Sequence, residues 1–105
     1  MLTDKDLPLI KSMLQCKLSI SDQEIRIHPR NQRVMNQYEI SVKWVHQYIR
    51  DVPIQHIRAL NHQGTKYRLE FVERPLHSVR VVLEMDMIVD RHGINVEVAK
   101  IHIKH

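Results

Sequence analysis

The chain has 105 residues, of which 43% are hydrophobic, and its sixteen Lys or Arg against twelve Asp or Glu give a formal net charge of +4. This length predicts a single domain over residues 1–105. No apolar run approaches the roughly 18 residues of a membrane span, residues 1–4 lack the pattern of a signal peptide, and the lone Cys16 excludes an internal disulfide. We therefore expect a cytoplasmic protein that does not enter a membrane.

The positive charge is concentrated in the middle of the chain. Residues 1–28 carry four basic and four acidic side chains, residues 29–68 carry seven and two, and residues 69–105 carry five and six. A segment with this excess of basic side chains attracts polyanions, so we expect RNA or another polyanion as the partner. The eight histidines would add positive charge near pH 6 and tighten such binding.

The N-terminal segment predicts a helix from Asp4 to Cys16. Its apolar residues Leu7, Ile10 and Leu14 share one helical face, and Thr3 or Asp4 can cap the start.

The next segment, residues 17–28, allows two interpretations. Its apolar residues alternate as in short strands, while residues 21–24 match a helix capping box. Because the residue before a proline is biased away from helix, His28 before Pro29 favours an extended segment over residues 24–28.

Two further helices are predicted in the basic segment, the first over residues 30–38. Ser41 is a natural N-cap for the second, which ends near Asp51, and Ile40 and Val45 can form a hydrophobic staple across its start. The apolar spacing in residues 54–60 predicts one or two more helical turns.

The last 40 residues predict antiparallel strands. Residues 66–73 alternate as a strand, and residues 78–105 read as a β-hairpin in which Val89 pairs with Ile94, so that Asp86 lies opposite Glu97. The apolar alternation reverses its parity after Val98. One extra residue near 99–100, a β-bulge, would correct it and turn three side chains toward the polar face, namely Lys100, His102 and Lys104.

This element order predicts an α+β fold in which N-terminal helices pack on one face of a three- to four-stranded antiparallel sheet. Several kinds of site find no support in the sequence. His102 and His105 have no further ligands at a recognisable metal-site spacing, Gly64 and Gly93 form no phosphate loop, and no serine triad signature is present. We therefore expect no metal and no cofactor.

Residues 28–41 read HPRNQRVMNQYEIS. They place a His after a short extended segment, then an Arg-bearing helix with an Arg-Met-type pair, then an Ile-Ser start to the next helix. This pattern resembles the entry motif of small RelE-superfamily (barnase/EndoU/RelE-like) domains, which include bacterial toxin components and a phage endoribonuclease. Those domains continue into a three- or four-stranded antiparallel sheet, and residues 65–105 have that plan. The chain departs from the family pattern in two ways: its His lies two residues farther from the Met, and Tyr38-Glu39 replaces Arg-Gly before Ile40.

The resemblance implies metal-independent RNA cleavage, in which a ribose 2′-hydroxyl attacks the adjacent phosphate. This reaction needs proton-transfer groups and fixed positive charge, and the resemblance gives the catalytic roles to His28 and His102. Tyr67 could stack on a base, but its alternation in the strand predicts a core position. The phosphate-binding residues implied are Arg30, Arg33, Arg68, Arg80 and Lys104.

Two other functions fit the sequence. One is a protein-binding module, with a small protein partner on the hairpin edge or on the helix that carries Trp44 and Tyr48. The other is a helix-turn-helix DNA-binding domain formed by helices 30–38 and 42–51, in which Lys43 and Arg50 meet phosphates. The sequence sets no oligomeric state.

Overall fold

The computed structural model describes residues 1–20 and 25–105. A 3-10 turn at Asp4–Asp6 leads into α1 (Leu7–Ile20), and a second 3-10 turn at Pro29–Asn31 leads into α2 (Gln32–Gln37), which is followed by α3 (Val42–Asp51). The six strands are β1 (Ile25–Ile27), β2 (Ile54–Ala59), β3 (Lys66–Phe71), β4 (Arg74–Leu76), β5 (Val79–Asp90) and β6 (Gly93–Lys104).

The helix starts follow the predicted caps. Thr3 forms a capping box with Asp6, and the Ser41 side chain accepts a hydrogen bond from the Trp44 amide. Helix α1 is longer than predicted, because Leu18 continues the buried stripe and the helix runs to residue 20. The capping box at residues 21–24 lies outside the described residues.

The helical turns predicted for residues 54–60 are wrong, because β2 occupies most of this segment. The pairing of β2 with β3 shifts register between Ile54 and His56, so that both Ile54 and Ile57 meet apolar partners, Phe71 and Leu69. The spacing of three that suggested a helix is therefore the strand period of two plus one bulge residue.

The strands form one mixed sheet of order β1-β6-β5-β3-β2, with β4 added to β5. The α+β class is confirmed, whereas three to four antiparallel strands is an undercount. Strand β1 runs parallel to β6, an arrangement that the predicted antiparallel sheet does not contain. It lies between α1 and α2 in the chain, so the helices do not all precede the sheet.

The C-terminal hairpin has the predicted register. Val89 pairs with Ile94 and Asp86 with Glu97, while Ala99 has no partner because Met85 pairs with Val98 and Glu84 with Lys100. The predicted bulge is thus confirmed, and Lys100, His102 and Lys104 lie on the polar face.

The core lies between the helices and one face of the sheet. Tyr67 belongs to it, as predicted, with 1% of its surface exposed. Tyr48 of α3 is fully buried, and its hydroxyl lies 2.9 Å from the Val81 carbonyl of β5. Burial raises the pKa of Tyr48, so the hydroxyl keeps its proton and can donate it. The core includes Ile10, Leu14, Met35, Val45, Leu69, Phe71, Leu83, Met85 and Val98.

Among the described helices, none combines the length and the apolar character that crossing a membrane requires.

Candidate functional site on the polar face of the sheet

The sheet face opposite the core carries most of the charged side chains of the strands. Strand alternation and the observed registers place seven basic and five acidic residues there. The basic ones are Arg26, Arg58, Lys66, Arg68, Arg80, Lys100 and Lys104, and the acidic ones are Glu70, Glu84, Asp86, Asp90 and Glu97. This polar face is therefore cationic overall, but its charges are mixed.

One row of residues crosses five strands of this face. It runs Arg58, Arg68, Asp86, Glu97, Arg26 from β2 to β1. Like charges in direct opposition are unfavourable, and the row contains two such pairs. The repulsion between Asp86 and Glu97 is offset on both sides. Asp86 forms an ion pair with Arg68, and Glu97 lies opposite Arg26. Arg58 has no carboxylate partner among the described residues, so an anion placed over Arg58 and Arg68 would relieve their repulsion.

Glu84 is the centre of a small cluster beside this row. Its Oε2 atom lies 3.1 Å from Nε2 of His102 and 3.4 Å from a terminal nitrogen of Arg68. The Glu84 side chain is only 20% exposed and that of His102 is 36% exposed, so solvent still reaches the imidazole. The arrangement holds an imidazole, a carboxylate and a guanidinium together.

A shallow hollow of about 130 Å³ opens next to Glu84. Its lining includes His56 and Arg58 from β2 and Arg68 from β3. His56 pairs with Glu70, which in turn pairs with Glu84, so the hollow spans three neighbouring strands. We call His56, Arg58, Arg68, Glu84 and His102 the sheet-face cluster.

The bulge that places His102 in this cluster is held by the buried amide of Asn31. Its Nδ2 atom donates to the Ala99 carbonyl at 3.3 Å, and its Oδ1 atom accepts from the Ile101 amide at 3.0 Å. The same Nδ2 lies 3.1 Å from the His28 carbonyl. Asn31 is 2% exposed, so these bonds are made away from water. The residue therefore fixes both the bulge and the entry into α2.

Arg80 and Lys104, predicted to bind phosphate, lie at another part of the polar face. They are opposite each other in the hairpin register, and both approach Glu73, at 3.1 Å and 3.8 Å. One carboxylate thus offsets part of the charge of two cations.

The other predicted site residues form a separate group where β1 meets α2. The Nδ1 atom of His28 accepts from the backbone amide and from Nε of Arg30, both at 3.1 Å. Arg33 is exposed on α2. Within residues 1–20 and 25–105, no hydrogen bond or ion pair joins His28 to His102.

The structure therefore brings four of the seven predicted residues to the polar face, namely His102, Arg68, Arg80 and Lys104. The other three, His28, Arg30 and Arg33, lie where β1 meets α2, and β1 and β2 are at opposite ends of the sheet order.

Sequence reasoning missed His56, Arg58, Glu84 and Asn31 as site residues. The helix predicted over residues 54–60 concealed that His56 and Arg58 share a face with Arg68. Glu84 has the same parity as Asp86 in β5, and this alternation was the available signal. Nothing in the sequence pattern shows that Asn31 reaches β6.

Among the described residues, no three His, Cys, Asp or Glu side chains come together in a way that could hold a metal ion.

The chain was compared with protein-family models, curated proteins and solved structures, and no match was found in any of the three.

Proposed function

We propose that this chain is an RNA-directed protein of the RelE-like type, with the sheet-face cluster as its site for metal-independent cleavage of a phosphodiester. The observation that carries the proposal is the contact of Glu84 with both His102 and Arg68, beside the opposed pair Arg58 and Arg68. These residues are the side-chain types that the reaction needs at one place.

The proposed roles follow from the positions. Arg58 and Arg68 would bind the phosphate oxygens, since a guanidinium can donate two parallel hydrogen bonds and Arg58 has no carboxylate partner among the described residues. Glu84 would orient the His102 ring through its contact with Nε2. His102 would then give a proton to the 5′-oxygen as the bond from phosphorus to that oxygen breaks.

The second proton transfer removes the proton of the attacking 2′-hydroxyl while the 2′-oxygen forms its bond to phosphorus. His56 is the candidate, because it stands on β2, on the other side of Arg68 from His102. It replaces His28 in this proposal, since His28 hydrogen bonds with Arg30 at the far sheet edge. A nucleotide lying across the row would place its phosphate over the two arginines.

The experiment incubates the purified protein with an end-labelled mixed-sequence RNA in the presence of a chelator. We expect products that end in a 2′,3′-cyclic phosphate, and no cleavage of the DNA of the same sequence, which lacks the 2′-hydroxyl. His102→Asn and Glu84→Gln should each lower the rate by about 100-fold or more, the usual range for loss of a proton-transfer group. His92→Asn, at the exposed hairpin tip, is the matched control and should keep the full rate.

Cleavage that survives both substitutions would contradict the assigned roles. Intact RNA that still binds, with binding weakened by Arg58→Gln and Arg68→Gln, would contradict proton transfer and retain an RNA-binding site. Absence of RNA binding would contradict the proposal as a whole.

A further inference from the structure

A groove runs along the sheet edge farthest from the hollow of the sheet-face cluster. It has a volume of about 490 Å³ and lies between β1, the start of α2 and the start of α3. Its floor is apolar, with Ile25, Ile27, Met35 and Val42 among the lining residues, and Val42 is 53% exposed. We call it the β1 groove.

A second hollow of about 270 Å³ adjoins the β1 groove and shares Val42 and His46 with it. Lys43 and Arg50 line this second hollow, and Arg26 lines the first. None of the described residues that line either hollow is acidic. Lys43 and Arg50 thus differ from Arg68, Arg80 and Lys104 of the polar face, which all have carboxylate partners.

Among the described strands, none pairs with β1 on the groove side. Strand β1 is the last in the sheet order and pairs with β6. The His28 amide donates to the Val98 carbonyl of β6. Because backbone groups alternate in direction along a strand, Arg26 also faces β6, whereas the amide and carbonyl of Ile27 face the free edge.

An apolar floor, a free strand edge and a cationic rim select one kind of occupant. An extended peptide could pair with Ile27 and place alternate side chains in the groove, as in recognition by strand addition. The rim favours acidic groups at the remaining positions, because Lys43 and Arg50 have no carboxylate beside them among the described lining residues. A nucleic acid would satisfy the rim but would leave the strand edge unpaired.

We propose that the β1 groove binds an extended acidic peptide segment of a partner protein, in which apolar and acidic residues alternate, as an added strand on β1. This site is separate from the sheet-face cluster and does not depend on RNA cleavage.

The test measures binding of a fluorescein-labelled peptide, Glu-Val-Glu-Val-Glu-Val, by fluorescence anisotropy. We expect saturable binding, no binding of the Lys-Val-Lys-Val-Lys-Val peptide, and an increase in Kd of about tenfold or more for Lys43→Glu and for Arg50→Glu. Arg91→Glu at the hairpin tip makes the same charge change away from the groove and should leave Kd unchanged, as should His102→Asn. Circular dichroism establishes that each variant is folded.

The strand pairing is tested without changing the protein. Two further peptides carry N-methyl groups on alternate backbone nitrogens, one in each of the two possible phases. Strand addition predicts that one methylated peptide loses binding, because its methyl groups block the amides that face β1, and that the other retains it. Loss for both, or for neither, would overturn the added strand.

Two other outcomes would overturn the proposal. One is absence of peptide binding, or binding that is unaffected by Lys43→Glu and Arg50→Glu. The other is that a ten-nucleotide RNA binds the unchanged protein but not these two variants, while the acidic peptide does not bind. This result would assign the groove to nucleic acid. Binding of RNA that depends only on Arg58 and Arg68 concerns the proposed function and leaves this inference intact.

Discussion

His102 contacts Glu84 diagonally across the hairpin, at 3.1 Å, although its partner in register is Val82. The contact exists because Ala99 has no partner on β5, and this one-residue insertion turns the end of β6 so that His102 shares a face with Glu84.

 Without the unpaired Ala99, the strand alternation would turn His102 toward the core. Asn31 holds the bulge in place through the Ala99 carbonyl and the Ile101 amide. A buried amide near the N-terminal third of the chain therefore positions a side chain near its C-terminus.

Asn31→Ala should lower the free energy of unfolding by about 1–3 kcal/mol, because it leaves the buried Ala99 carbonyl and Ile101 amide without their partner. Asn31→Asp should cost more, since a carboxylate would face the Ala99 carbonyl where the amide nitrogen now donates. Urea unfolding of both variants measures the effect. Asn36→Ala, an exposed position on α2, is the control and should change stability by less than about 0.5 kcal/mol. Equal stability of Asn31→Ala and Asn36→Ala would contradict the role of Asn31.

Glu84→Gln and His102→Asn should have small effects on stability even if they abolish activity. Both side chains are partly exposed, and ion pairs in such positions contribute about 0–1 kcal/mol. A double-mutant cycle from urea unfolding should therefore give a coupling energy below about 1 kcal/mol. A much larger coupling would indicate that the pair serves the fold rather than the chemistry.

The hairpin shows what sequence alone can predict. The parity change after Val98 is visible because one face must stay apolar, and this requirement alone placed a bulge near residues 99–100, where the structure has Ala99 unpaired. The same reasoning failed in β2, where a bulge near Gln55 changed the spacing of Ile54 and Ile57 into one that also fits a helix. The bulge in β2 was therefore not recognised, because the apolar pattern of β2 is shorter and less regular than that of β6.

The candidate site was predictable only in part, for a related reason. Strand parity put His102 and Glu84 on one face, but their contact with Arg68 depends on which strands are neighbours. The three residues of β1 are too few to show that this strand pairs with β6, and this pairing places His28 at the far edge. Long-range neighbours of this kind leave no periodic signal in the sequence.

Lys11 should make stability depend on pH above neutrality. Its Nζ atom donates to the Ile49 and Val52 carbonyls at the end of α3, and burial lowers its pKa from 10.5 to about 8, opposed by the nearby Asp51. Between these pKa values the unfolded chain holds a proton that the folded chain has released, so the free energy of unfolding rises with pH through this window. Below about pH 8 both states are protonated and the gain is absent.

Lys11→Met tests this linkage. The variant should be less stable at every pH, because the two carbonyls lose their donor, and the difference from the unchanged protein should widen as the pH rises from about 8 to about 10.5. Lys5→Met, at an exposed lysine, is the control and should change the free energy of unfolding by less than about 0.5 kcal/mol. Denaturant unfolding at each pH supplies the measurement. A difference that narrows with rising pH would show that the Lys11 pKa is not lowered.

Glu39→Gly should stabilise the protein, because Glu39 ends α2 in a conformation that favours glycine. Its φ is +55°, and the Ile40 amide donates to the Met35 carbonyl at 2.8 Å, as in a Schellman motif. A left-handed conformation costs a residue with a side chain roughly 1–2 kcal/mol, while the entropy that glycine loses on folding offsets about half of this. We therefore expect a gain of about 0.5–1 kcal/mol in urea unfolding. Gln37→Gly, two residues earlier in α2, should instead cost about 0.5–1 kcal/mol, because it weakens the helix without relieving strain. Destabilisation by both substitutions would show that the Glu39 side chain contributes more than its backbone strain costs.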